Sequence, residues 1–474
     1  MIATLFVLFQ LLGLVSSVHA ILHTRTAQGA IAWVVSLNTI SVVAVPLYWV
    51  FGRSRFEGYV NALRDCNLVM DEEKNKRLAA FAPWVVEGPE HFPEYRAIRR
   101  LSLYPFFSGN RVSLLVDGAA TFDSMSAGID RARDYILFQF YILRADQTGT
   151  GFMDRLARKV CEGVKVHVLY DEIGSYDLPR RWLAHYRAQG IEIAPFGTTR
   201  GRHNRFQINF RNHRKVLVVD GREAWVGGLN IGDEYLGRHP RLTPWRDTHL
   251  HLRGPAALMA QAAFWSDWYW AESVLLGHLH WRPVAAVEDD DRGQDVLVLA
   301  SGPADDLETA SLFFTTVINA ARKRIWIATP YFIPDESTRV ALALALLRGV
   351  EVRILTPRLN DNRLVHNAAR VYLSELARLG ARVFYYEEGF MHQKVVLLDH
   401  SLAMVGTVNF DNRSFRLNFE ITGVVADRDF AREVEGMLEQ DFTRATELGE
   451  FDLARRPFWE RFKARACDLL APVL

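Results

Sequence analysis

Two short stretches of this chain carry residues able to do chemistry, at matched spacing. In NHRKVLVVDGREAWVGGLN, residues 212–230, His213, Lys215, Asp220 and Asn230 follow one another. In MHQKVVLLDHSLAMVGTVN, residues 391–409, the set returns as His392, Lys394, Asp399 and Asn409, each 179 positions after its counterpart. Side chains alternate along a strand, so a histidine and a lysine two apart share one side of it. Asp220-Gly221 signals a tight hairpin turn, and the return strand EAWVGGLN brings Asn230 back beside His213. Small residues at Gly227, Gly228 and Gly406 permit close approach to a bound group. A lone His-x-Lys reads most simply as a satisfied surface or core pair. A duplicate with matched Asn, Gly and turn spacing does not.

Facing each other, the two sets suit a phosphodiester. Lysine and asparagine can hold the non-bridging oxygens, more tightly as charge develops in the transition state. One imidazole can attack phosphorus while the other protonates the leaving alkoxide. The lysine beside each histidine repels a cation, which argues against a metal centre; no metal and no cofactor is expected. The copies are not equivalent: Thr407 stands where the first has Gly228, and the second turn is His400-Ser401 rather than Asp-Gly. With both copies in one chain, the site is expected to be complete within it.

The elements that position these residues alternate in type. RVSLLVDG reads as a strand, ATFDSMSAGIDRARD as an amphipathic helix and YILFQFYIL as a buried strand. TGFMDRLARKVCEG, VKVHVLYD, LPRRWLAHYRAQG and IEIAPF continue as helix, strand, helix and strand. Apolar runs of strand length between helical periods imply βαβ units and a parallel sheet. The order returns from DVLVLASG onward, and GVKVHVLYD and GVEVRILTP are visible copies. This is the duplication of one α/β unit rather than a short-period solenoid. The expected organisation is a membrane segment at 1–52, a connector at 53–110, a first half at 111–286, an acidic linker at 287–295, and a second half at 296–474 with a helical tail.

The chain has 474 residues and a formal net charge of +1, so the overall balance implies no polyanion partner. Cys66, Cys161 and Cys467 follow no metal or redox spacing and read as free thiols. Met1 to Leu22 carries no Asp, Glu, Lys or Arg, and neither does Thr26 to Gly52. Each is long enough to span a bilayer, which takes about 20 apolar residues. SSVHA resembles a signal-peptide cleavage site, but there is no basic n-region and a second apolar run follows at once. A transmembrane helical hairpin is the favoured reading. Arg53, Arg55 and Arg64 after the second span, against Arg25 alone between the spans, place the soluble region in the cytoplasm. The basic run from Thr198 to Lys215 suits an anionic headgroup or membrane surface. Nucleic acid would call for interleaved aromatics and a net basic domain, and neither is evident.

The pattern H-x-K-x4-D-x6-G-x2-N, present twice, resembles the phospholipase D superfamily. With FRNHRKVLVVDG, WRDTH, IATPYFIPD, NFDNRSFRLNFE and the terminal LLAPVL, the chain is most similar to bacterial cardiolipin synthases. The resemblance implies duplicated phospholipase D-type α/β units with mixed sheets forming one pseudo-two-fold catalytic region. It implies that His213 and His392 are catalytic, with His213 the nucleophile, and that Lys215 and Lys394 bind phosphate. Asp220 and Asp399 match the motif aspartates, which act mainly in structural support. A downstream carboxylate orients each histidine: by position Glu420 fits His392 and Asp247 fits His213. The implied reaction joins two phosphatidylglycerols through a phosphatidyl-histidine, at the bacterial inner membrane and in contact with other anionic phospholipids. A hydrolytic phospholipase D or nuclease would use the same centre with water as acceptor, and a non-enzymatic scaffold would require the motifs to have decayed.

Overall fold

The computed structural model describes residues 2–53, 55–64, 79–88, 94–199, 207–287, 292–449 and 453–473. Cys66, residues 200–206 of the basic run, and residues 288–291 of the acidic linker lie outside them.

The first half contributes β1 (Phe107–Val116), β2 (Tyr135–Phe140), β3 (Lys165–Asp171), β4 (Glu192–Phe196), β5 (Arg211–Asn212), β6 (Val216–Val219), β7 (Glu223–Gly227), β8 (Trp245–Arg246) and β9 (Thr248–Arg253). The second contributes β10 (Gln294–Ser301), β11 (Arg324–Ala328), β12 (Phe332–Ile333), β13 (Glu351–Pro357), β14 (Arg382–Tyr386), β15 (Phe390–Met391), β16 (Val395–Leu398), β17 (Leu402–Gly406), β18 (Phe410–Asp411), β19 (Asn418–Ala426) and β20 (Ala445–Glu447). One mixed sheet runs β4-β3-β2-β6-β7-β9-β1 and continues β10-β19-β17-β16-β11-β13-β14-β20. The helix-connected strands β2-β3-β4 and β11-β13-β14 are parallel, as crossover units require. The hairpins β6-β7 and β16-β17 are antiparallel, and β1 meets β10 antiparallel at the junction. The first strand starts at Phe107, inside the stretch read as connector. The alternation of Val, Leu and Ile in these strands feeds one large apolar cluster that includes residues of both halves. Phe56 and Tyr59 of the connector belong to it, Phe56 stacking on Phe210 at 5.2 Å between ring centroids.

The N-terminal region departs from the expected hairpin of two spans. It forms α1 (Ile2–His23), α2 (Ala27–Thr39) and α3 (Ser41–Phe51). Only α1 is long and apolar enough to cross a membrane among the described residues. The second apolar stretch breaks at Ile40 (φ −129°, ψ 47°) and folds back. Asn38 Nδ2 donates to Ser17 Oγ at 2.8 Å, while Trp49 Nε1 donates to Ser16 Oγ at 3.1 Å and Tyr48 Oη lies 2.5 Å from His19 Nδ1. The bend therefore meets the middle of α1, and Ala27 and Phe51 both lie at its C-terminal end. The break has a local cause. Ser36, Asn38 and Thr39 bond back to the carbonyls of Ala32, Val34 and Val35, which offers the backbone an alternative to the helix. At 13 and 11 residues, α2 and α3 are each too short to span. Polar groups face inward in this bundle, and Leu5, Val7, Leu11, Val15, Ile31, Val35 and Val43 are exposed. Its base is fastened to the second half by Arg25–Glu308 at 3.2 Å and Arg55–Asp306 at 2.5 Å.

Candidate active site

The two hairpins are anchored at their turns by the motif aspartates. Asp220 takes a left-handed backbone (φ 52°) and accepts the backbone N–H groups of Arg133, Asp134 and Tyr135 at 2.8–2.9 Å. Asp399 (φ 49°) does the same for Arg322, Lys323 and Arg324 at 2.8–3.1 Å. Each carboxylate thus fixes the hairpin to the start of the neighbouring strand, β2 or β11. Asp220 and Asp399 lie at the far end of the hairpins from the histidines. They set register and do not line the cleft.

At the other end the halves interlock. Short β5 pairs with the start of β19, and short β8 pairs with β15, both across the two halves. His213 N donates to Phe419 O at 2.9 Å, and His392 N to Arg246 O at 2.8 Å. Each histidine is therefore bonded to the residue just before the other half's acid. The side chains follow. His213 Nδ1 lies 2.9 Å from Glu420 Oε2, and His392 Nδ1 lies 2.9 Å from Asp247 Oδ2. This reverses the pairing expected from position, in which Glu420 served His392 and Asp247 served His213. The carboxylates cross between halves because the strands that carry them, β19 and the β8–β9 segment, run beside the other half's histidine. Both acids are fully buried.

The Gly228/Thr407 difference now has a reason. A Cβ on Gly228 would come within 2.0 Å of Asp247 Oδ1, so the short acid needs a glycine beside it. Thr407 Oγ1 instead donates to Glu420 Oε2 at 2.5 Å, and Asn418 Nδ2 donates to Oε1 at 3.1 Å. Lys215 Nζ donates to His213 O at 2.7 Å, and Lys394 Nζ lies 3.0 Å from His392 Nε2. Asn230 bonds Ile142 N and Tyr235 Oη, each at 3.0 Å. Asn409 Oδ1 is buried without a hydrogen-bond partner among the described residues. His213, His392, Asn230 and Asn409 all line one cleft of about 510 Å³, together with Tyr141, Arg211, Trp245, Tyr331 and Arg413.

Burial, only partly offset by Glu420, pulls His213 down to about 4. Burial and then Lys394 pull His392 down to about 3. Both rings are neutral at pH 7, each with a carboxylate at Nδ1 that favours the proton there and leaves Nε2 bare. Burial likewise lowers Lys215 to about 7 and Lys394 to about 8, against the pull of Glu420 and Asp247 respectively. Burial alone would raise the acids. His213 and Lys215 outweigh it at Glu420, Lys394 and His392 outweigh it at Asp247, and both end below the usual carboxylate range. A neutral imidazole beside a bare carboxylate, with two cations near, can attack phosphorus and stabilise the anion that forms.

Sequence reasoning missed Asp267 and Asp441. Asp267, in the helix Ala256–Glu272, takes Arg214 Nη1 at 2.8 Å, Asn212 Nδ2 at 2.8 Å, Gln139 Nε2 at 2.7 Å and Tyr59 Oη at 2.8 Å. Asp441, in the helix Arg428–Thr443, takes Arg246 Nη2 and Gln393 Nε2, both at 2.7 Å. Each fully neutralised network holds the residue next to a histidine or next to its acid. The legible signal was a single aspartate inside the apolar run AALMAQAAFWSDWYW.

Residues 125–240 and 314–442 match a family described as "Cardiolipin synthase, PLD-like domain". Cardiolipin synthase A of Pseudomonas putida (strain GB-1) is 45% identical over 98% of this chain and 97% of its own. That of Pseudomonas aeruginosa (strain LESB58) is 46% identical over 98% of this chain and 94% of its own. Among solved structures, a phosphatidylserine synthase from Haemophilus influenzae Rd KW20 superposes on 80% of this chain and all of its own, with a TM-score of 0.61 at 15% identity. That likeness is one of fold.

Proposed function

The chain belongs to the cardiolipin synthase family with phospholipase D-like domains, and on that footing we propose that it moves a phosphatidyl group from one phosphatidylglycerol to another, giving cardiolipin and glycerol. The observation that carries this reading is the pair of crossed imidazole–carboxylate contacts opening on one cleft, in a chain similar over its length to cardiolipin synthases.

The geometry and the resemblance to the superfamily together support the following steps. His213 Nε2 attacks phosphorus of the first lipid, the bond to the glycerol headgroup breaks, and the departing alkoxide takes a proton from His392. Lys215, Lys394 and the Asn230 and Asn409 amides hold the non-bridging oxygens. The bound phosphodiester brings negative charge between the imidazoles and raises His392, which takes up its proton from solvent as the substrate binds. The terminal hydroxyl of the second lipid then returns a proton to His392 and attacks phosphorus, and the P–N bond to His213 breaks. One phosphodiester replaces another, so no nucleotide is consumed. Each imidazole has a carboxylate at Nδ1, and the choice of His213 as nucleophile rests on resemblance to the superfamily. Asp220 and Asp399 act by positioning.

The domain reading that fits is a membrane segment at 1–52, a connector from 53 up to β1, a first half from Phe107 to 286 and a second half from Gln294 to 474, copies of one unit related by a pseudo-two-fold axis. In the membrane segment α1 crosses the bilayer and α2–α3 re-enters from the catalytic side. Arg25, Arg53, Arg55 and Arg64 then all lie on that side, which supports a cytoplasmic catalytic region at the bacterial inner membrane.

Incubation of the purified protein with phosphatidylglycerol vesicles, with and without chelator, tests the reaction. Cardiolipin and glycerol in equal amounts, undiminished by chelator, are expected. Phosphatidic acid as the sole product would establish hydrolysis instead, and activity lost to chelator and restored by a metal would contradict the metal-free chemistry.

A further inference from the structure

The C-terminal helix Phe458–Asp468 presents an apolar face to solvent. Phe458, Trp459 and Phe462 are exposed, Trp459 by 74%, and their rings cluster with centroids 5.2–6.1 Å apart. At about 100° per residue these three share one arc of the helix. Ala464 and Cys467 fall on the other side and are buried, Ala464 against Val371 and Leu453. Arg370 clamps the helix through Glu460 at 2.7 Å. Past its end Leu469, 81% exposed, and Leu470 prolong the apolar strip. Around the strip the tail from Leu453 to Leu474 carries Arg455, Arg456, Arg461, Lys463 and Arg465 against only Glu460 and Asp468.

Its place in the fold says what covers it. The turn Ala471–Val473 lies against the helix Asn412–Arg416. Arg416 Nε bonds Glu308 at 3.1 Å, and Glu308 also holds Arg25 at the base of the N-terminal bundle. The strip and the bundle with its apolar exterior are thus linked at one edge through Arg416, Glu308 and Arg25. The same short helix supplies Arg413 to the cleft wall.

We infer that helix Phe458–Asp468 is an interfacial membrane helix. Its aromatic face lies at the headgroup–acyl boundary of the leaflet that holds the base of the N-terminal bundle, and its basic side chains meet anionic headgroups. Aromatic rings of this kind suit that boundary, and the positive tail complements an anionic surface. The bundle tethers the catalytic unit; the helix sets its tilt, so that the cleft mouth is pressed against the lipid. This rests on the reading of a bilayer lipid as substrate.

The full chain, with its three cysteines replaced by alanine, is reconstituted into vesicles of phosphatidylglycerol and phosphatidylcholine, carrying a nitroxide at Trp459→Cys or at the exposed Arg461→Cys, about 160° away around the helix. Collisions with oxygen should dominate over collisions with a water-soluble nickel complex at 459, with the balance shifted the other way at 461. The same balance at both positions overturns the inference, as does protection of 459 from both reagents, which would mean a second copy or another protein on the strip. A Trp459→Ser/Phe462→Ser variant should lose about tenfold activity on vesicle lipid and match wild type on a short-chain, monomeric phosphatidylglycerol. Loss on both substrates alike, or on neither, overturns it. Wild-type protein that makes no cardiolipin would count against the proposed reaction, while the nitroxide result would stand on its own.

Discussion

Two buried ammonium groups, each two residues from a cleft histidine, give the site a pH response of defined sign. A lysine is charged only below its pKa, and burial has brought Lys215 to about 7 and Lys394 to about 8. kcat/KM reports the free enzyme, so it should fall as pH rises through 7 to 8. A bound phosphodiester raises both lysines, so the corresponding fall in kcat should lie at higher pH. Profiles measured in mixed micelles would decide, and a kcat/KM flat from pH 6 to 10 would sink the idea. The roles of the histidines are separable too. With a lipid carrying an acidic phenol as leaving group, no proton need be supplied at departure. His392→Ala should then trap a phosphatidyl adduct on His213, and His213→Ala should trap none. An adduct on His392 in the His213→Ala protein, located by mass spectrometry, would reverse the assignment.

At the scale of elements, Gly228 shows how a strand end is fitted to its neighbour. A methyl group there would sit 2.0 Å from Oδ1 of Asp247, an acid held by the Thr248 amide at Oδ1 and by His392 at Oδ2. Gly228→Ala should displace the acid and its imidazole and cut kcat about 10²-fold, the scale of a 1 Å misplacement. Thermal denaturation should show the fold retained; unchanged kcat would refute the fit. The histidines and lysines were legible because chemistry repeated at a constant offset. Their acids were named, but each was given to the wrong histidine: Asp247 and Glu420 sit 173 positions apart rather than 179. Local spacing carries no record of which half a strand lies beside, and β5–β19 and β8–β15 decide it. The N-terminal break was written as SLNTIS, residues 36–41, but an apolar tally runs across such a stretch. Only the bonds back to Ala32, Val34 and Val35 reveal that the helix stops there.

At the scale of the whole molecule, one continuous sheet joins the halves through β1 and β10, and one chain carries both motif copies. The site should therefore be intramolecular. Purified His213→Ala and His392→Ala chains, mixed and reconstituted together, should stay inactive; substantial recovery would show residues shared between subunits.

The crossed acids have a consequence for any attempt to divide the protein. A chain severed between β9 and β10 would leave two fragments, each with an intact hairpin, histidine and lysine, and each with an acid positioned for a histidine it lacks. Neither fragment could orient its own imidazole. Activity would then report reunion of the fragments and nothing else, which makes the pair a natural complementation reporter whose signal counts only correctly re-formed interfaces.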